Sequence, residues 1–140
     1  MNYKYIDHTS DIGIEAKGNS LEQLFENLLT GVIRIYKEKK NFENFSQELF
    51  EVGGESLNDL LFNCVDCLIY KIEAEGLFPF NLEITKIIEG RENCKLTGKI
   101  DLVGVDQIPG FDNEIKAPTY HQLTVKSVPD GYWGRIIVDV

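Results

Sequence analysis

Two stretches of this chain repeat their apolar residues every three or four positions, and from Leu77 onward the repeat falls to every second position. A period near 3.6 lines one side of a helix with apolar side chains, whereas a period of two lines one face of a strand. The first helical stretch opens at Ser20, and Gln23 three residues later completes a capping box in which side chain and backbone satisfy each other's free amides. Leu21, Leu24, Phe25, Leu28, Leu29, Val32 and Ile33 follow as one apolar face. The run Lys37-Glu38-Lys39-Lys40 suits a helix C-terminus, where positive charge meets free carbonyls. The second helix is expected from about Ser56 to Glu75, stopped by Gly76, with Leu57, Leu60, Leu61, Cys64, Leu68 and Ile72 facing inward.

Around these helices the sequence predicts strands. Met1–Asp7 and Ile12–Lys17 flank a turn at His8-Thr9-Ser10-Asp11, and Gln47–Val52 is closed by Gly53-Gly54. Leu77–Ile88, Asn93–Val103, Tyr120–Val128 and Tyr132–Val140 complete the set, while Gly104–Lys116, with Pro109-Gly110, reads as an exposed loop. No internal repeat or linker divides the chain, so residues 1–140 form a single domain. The expected fold class is α+β, with two helices packed as a sandwich on mostly antiparallel β-sheet.

Charge narrows the partners. Against 14 Lys and Arg stand 23 Asp and Glu, a formal net charge of −9. Phosphate backbones repel such a surface on average, so direct nucleic-acid binding is disfavoured unless a local basic patch escapes the mean. Basic proteins and divalent cations are the better electrostatic partners. No run approaches the roughly 18 consecutive apolar residues of a membrane span, and the N-terminus lacks the basic start and apolar run of a signal peptide. A soluble, cytoplasmic protein with no membrane partner is expected, and three cysteines without a secretion signal fit a reducing compartment.

Several motifs invite chemistry. Cys64-Val65-Asp66-Cys67 has the spacing of a redox or zinc half-site, yet both sulfurs fall on or beside the buried stripe of the second helix. No second Cys/His pair follows at zinc-finger spacing, and core packing is the better reading. His8 or His121 with Ser10 or Thr9 would need a nucleophile turn that no G-x-S-x-G run supplies. Phosphate-loop and dinucleotide motifs are missing as well. The carboxylates say more. Asp7 and Asp11 flank the first turn, and Asp139 is next to last in a hydrophobic strand that ends on Val140. Oxygen clusters of that kind suit hard divalent cations. Taken alone, the residues favour a solvated place in a turn for Asp11 over ligation, and they do not say whether the two ends of the chain meet.

Five ordered blocks carry a resemblance. His8-Thr9-Ser10-Asp11-Ile12-Gly13, Gly18-Asn19-Ser20-Leu21-Glu22-Gln23-Leu24-Phe25 and Gly54-Glu55-Ser56-Leu57-Asn58-Asp59-Leu60-Leu61 come first. Ile115-Lys116-Ala117-Pro118-Thr119-Tyr120-His121-Gln122-Leu123 and the final Val138-Asp139-Val140 follow. Together they resemble the archease family over nearly the whole chain. Ser10 stands where alanine is common, and Pro118 where an aliphatic residue is usual.

The resemblance implies an archease-like sandwich that is not itself an enzyme. It implies an activator of the RtcB-type tRNA-splicing RNA ligase, promoting its guanylylation and multiple turnover. It carries metal ligation over to Asp11, Asp139 and the main-chain oxygens of Val140, with calcium the associated ion and magnesium or manganese the alternatives in the cell. His8 is then expected to orient Asp11, and Lys116 to contact the ligase or a nucleotide phosphate. The alternative reading is a general chaperone or adaptor for RNA-processing enzymes.

Overall fold

The computed structural model describes residues 2–7 and 10–140, so Met1, His8 and Thr9 lie outside it. In chain order the elements are β1 (Tyr3–Asp7), β2 (Asp11–Gly18), α1 (Leu21–Tyr36), β3 (Ser46–Gly54), α2 (Leu57–Glu73), β4 (Leu77–Glu89), β5 (Cys94–Gly104), a short 3-10 turn (Val105–Gln107), β6 (Ala117–Pro118), β7 (Thr124–Val128) and β8 (Gly131–Asp139). β1, β2 and β8 lie side by side, and β6 and β7 both pair with the far edge of β8. A second sheet has the order β3-β5-β4, and every pairing in both sheets is antiparallel. The α+β class expected from the sequence is what the chain adopts.

Both helices contact both sheets. This explains why α1 buries nine of its 16 residues, Ile35 and Tyr36 included, where the periodicity suggested a single narrower face. Its remaining face is put to use. The Ile84 and Ile87 amides of edge strand β4 donate to Glu26 Oε1 (2.8 Å) and Glu22 Oε2 (2.9 Å), and Arg34 donates to the Phe80 carbonyl (3.2 Å). Three helix side chains thus satisfy main-chain groups that an open sheet edge would offer to another chain.

The two β–α corners are built alike, a local repeat that was not read from the sequence. Ser20 Oγ accepts from the Gln23 amide and Ser56 Oγ from the Asp59 amide, each at 3.1 Å. Asn27 donates to the Lys17 carbonyl (2.8 Å) and Asn63 to the Gly53 carbonyl (2.9 Å), tying each helix to the end of its preceding strand. At both corners the strand's last glycine abuts the first helical turn. A Cβ on Gly18 would collide with the main-chain nitrogen of Leu24, and one on Gly54 would lie 2.6 Å from that of Leu60.

Two sequence expectations give way. Residues 104–116 are not simply an exposed loop, because Ile108 and Ile115 are buried and Phe111 packs on the core. The segment clasps the end of α1. The Asp112 amide donates to the Tyr36 carbonyl (2.8 Å), Tyr36 OH donates to the Ile115 carbonyl (3.3 Å), and the Tyr36 and Phe111 rings meet edge-on at 5.2 Å. Burial pushes the Tyr36 phenol up to about 12. The expected strand Tyr120–Val128 shortens to β7, since the Leu123 amide bonds back to the Tyr120 carbonyl and Gln122 adopts φ 53°. Phe62 on α2 stacks flat on Tyr120 at 4.0 Å and supports that turn.

Because the obstacle at each corner is main chain, neighbouring side chains cannot relieve it. Gly18→Ala and Gly54→Ala are each expected to destabilise the protein by about 1–3 kcal/mol. Urea unfolding checks this as a lower midpoint at an unchanged slope.

Candidate metal-binding rim

The pairing of β2 with β8 assembles the site. Asp11 opens β2, Asp139 closes β8, and their register sets them directly opposite each other. Opposed residues on an antiparallel pair share a face with Cβ atoms about 4.5–5.5 Å apart, and like charges so placed repel. Two further bonds hold the position. The Lys116 amide donates to the Asp139 carbonyl (2.8 Å), and the Val140 amide donates to the Ser10 carbonyl (3.2 Å). β6 adds a third strand, with Ala117 opposite Asp139. Val140 packs its side chain on the core, which keeps its main chain at this rim.

Charge follows from that geometry. A hydrogen bond to the Asp11 carboxyl, then partial desolvation and the negative charge of Asp11, hold the Asp139 carboxyl above its usual range; the Lys116 ammonium pulls the other way. Two carboxylates that resist being ionised together form an oxygen donor set suited to a hard divalent cation. Among the described residues no group of three His, Cys, Asp or Glu side chains is close enough to hold a metal. Further donors at the rim would be main-chain oxygens, water or a partner. The Asp11–Asp139 pair fits a cation in donor type, and it would supply two ligands of such a set.

The structure therefore brings together Asp11, Asp139, Val140 and Lys116. His8 lies outside the described residues, and Asp7 closes β1 opposite Ile12. His121 is exposed in the turn after β6, its amide donating to Thr119 Oγ1 (3.3 Å). Cys64 is buried, Cys67 is half-buried, and both thiols are free. Burial pushes both above the ordinary thiol value, which suits packing rather than reactivity. Sequence reasoning missed β6, the two-residue strand whose flanking Lys116 amide fixes the Asp139 main chain. Neither helix is long and apolar enough to cross a membrane.

A family model described as Archease protein family (MTH1598/TM1083) matches residues 3–140. The chain is 31% identical over 140 residues to protein archease of Pyrococcus abyssi, covering 99% of this chain and 98% of that one. It is 30% identical over 146 residues to protein archease of Pyrococcus furiosus, covering 99% and 98%. Its fold is similar to the solution structure of Methanobacterium thermoautotrophicum protein 1598, with a TM-score of 0.80 at 24% identity and 99% of each chain covered. It is also similar to the crystal structure of "an archease, possible chaperone" from Thermotoga maritima, with a TM-score of 0.57 at 26% identity, covering 98% and 96%.

A carboxyl whose folded pKa lies above its unfolded value contributes stability below the ordinary carboxylate range and loses it as pH rises through the raised value. Near neutral pH and with chelator present, the rim is then a net repulsion. Asp11→Asn is expected to raise the melting temperature under those conditions. The gap to wild type should narrow as pH falls into the carboxylate range, and thermal melts across pH check both parts.

Proposed function

The chain belongs to the archease family, and we propose that it activates an RtcB-type tRNA-splicing RNA ligase in the cytoplasm without catalysing a reaction itself. In this reading the rim carries one divalent cation, held by Asp11, Asp139 and main-chain oxygens of Val140. Calcium, magnesium and manganese all suit such oxygen donors. The observation that carries the reading is the cross-strand pair of Asp11 and Asp139, with the Asp139 carboxyl held above its usual range. A bound cation would relieve the repulsion that the pair otherwise sustains.

Within the ligase's guanylate pocket, such a cation would supply Lewis-acid neutralisation of phosphate oxygens during guanylylation. The chain's own residues do the positioning. The Lys116 amide fixes the main chain of Asp139, and the Lys116 ammonium stands near enough to temper the Asp139 carboxyl. The same ammonium can meet an incoming nucleotide phosphate or an acidic group on the ligase. His8, three positions before Asp11 in the sequence, is proposed to orient the Asp11 carboxylate. The net charge of −9 favours encounter with a basic ligase surface, and salt should weaken that steering.

A general chaperone or adaptor would need a client surface of contiguous apolar residues. The exposed large apolar side chains are Tyr5, Phe45, Leu49, Tyr70, Ile88 and Tyr120. Dependence of activation on Asp11 favours the ligase reading, and activity toward many clients independent of Asp11 favours the adaptor.

The test is guanylylation of the cognate ligase with GTP and limiting Mn²⁺ or Mg²⁺. Wild-type protein should accelerate it, and Asp11→Ala should lose the acceleration while keeping its fold. Loss of even an outer-shell partner costs about 10–100-fold in metal affinity, so loss of a ligand should cost at least as much. An Asp11→Ala variant that folds and still activates fully would overturn the metal rim, and a wild type that never activates would overturn the ligase role.

A further inference from the structure

The outward face of the five-stranded sheet is polarised along its strands. At one end lies the Asp11–Asp139 row, and six residues back along β8, about 20 Å at 3.4 Å per residue, lies Trp133. Lys17 of β2 and Lys126 of β7 are its direct register partners on either side, so one row across three strands reads Lys126–Trp133–Lys17. The neighbouring Tyr132 packs on the core, and alternation along the strand turns Trp133 to the opposite face. Trp133 is half-buried there, with Lys126 Nζ 5.0 Å and the Arg135 guanidinium 5.1 Å from the ring centre.

The charges in this region are unequally engaged. Glu15 pairs with both Lys4 (3.3 Å) and Arg135 (3.6 Å). Among the described residues Lys17 and Lys126 have no ion-pair partner, and both are exposed. They border a cleft of about 630 Å³ that Trp133, Asn19, Gln23 and Asn27 also line, with Asp130 the acidic member. Gln23 Oε1 accepts from the Asn19 amide and Asn27 Nδ2 donates to the Lys17 carbonyl. Among the described residues Gln23 Nε2, Asn27 Oδ1 and the side-chain amide of Asn19 carry no hydrogen bond, which leaves both donors and acceptors for a ligand at the cleft.

We propose that this row is a binding site for single-stranded RNA, separate from the metal rim. A nucleotide within a strand presents a flat base between two phosphates, and the row presents an indole flanked by Lys17 and Lys126. The Lys126 ammonium and the Arg135 guanidinium lie over the ring, so a base stacks there by displacing a cation toward its own phosphate. Bases stack on aromatic rings whatever their sequence, and lysines beside them follow the backbone. An acidic peptide would match the cations and leave the ring and the amides without a counterpart. The net charge of −9 argues against nucleic acid only as an average over the surface, and this row is where the average fails.

Trp133 is the chain's single tryptophan, so its fluorescence reports on the site directly. Titration of the isolated protein with a ten-residue oligouridylate at 50 mM salt should quench it saturably. Two phosphate contacts on single-stranded nucleic acid predict affinity falling about sevenfold between 50 and 200 mM salt. The double variant Lys17→Gln/Lys126→Gln, altered only at exposed side chains, should bind at least about tenfold more weakly and lose most of that salt dependence. Asp11→Asn should bind as wild type does, which separates this result from any result on ligase activation. Absence of saturable quenching would overturn the proposal. So would equal quenching by a ten-residue oligoglutamate, which would make the face a site for acidic peptide, and so would unchanged binding by the double lysine variant.

Discussion

The antiparallel pairing of β2 with β8 is the constraint on which the rest of the molecule depends. It joins strands from opposite ends of the sequence, and each of its flanks recruits more sheet: β1 on β2, and β6 and β7 on β8. Its register sends Ile14, Ile136 and Val138 into the core. A slip by one residue would turn those side chains to the outward face. The same slip would separate Asp11 from Asp139 and Lys17 from Trp133. The core, the paired carboxylates of Asp11 and Asp139 and the Lys17–Trp133 row are thus set by one register, so none of them can drift without cost to the fold.

The helices defend that register from the other side. Each is tied to the strand before it by a serine cap, an asparagine to the strand's end, and a glycine close enough to touch the first turn. α1 then does more than fill space. Glu22, Glu26 and Arg34 close the β4 edge, and the Tyr36 end grips residues 108–115. That grip delivers Lys116 and Ala117 to Asp139. The rim is therefore coupled through α1 to the second sheet, although no residue of that sheet belongs to it.

What the sequence made legible was local. Period and capping located α1 and α2, because those signals lie within a few residues of each other. Charge and carboxylate chemistry marked Asp11 and Asp139, yet nothing local joins them, since the bond between the chain's ends is a long-range sheet pairing. The family resemblance supplied that link, and the β2–β8 register sets the two residues opposite each other. β6 was illegible because a two-residue strand containing Pro118 has no periodicity. The alternation of Leu123 and Val125 suggests a strand reaching back to Tyr120, but the φ of Gln122 and the stack on Phe62 make residues 120–123 a turn. Pro109-Gly110 suggested exposure for a segment whose Ile108 and Ile115 are in fact core residues.

The claim most central to this account is that Asp11 and Asp139 act together as one cation site. Carboxyl ¹³C resonances of the aspartates, followed by NMR while Ca²⁺ or Mg²⁺ is added to the isolated protein, address it directly. The account predicts that the Asp11 and Asp139 carboxyls shift together and saturate at one equivalent, with the other aspartates little changed. Movement of only one of them, of neither, or of acidic residues elsewhere on the surface would contradict it.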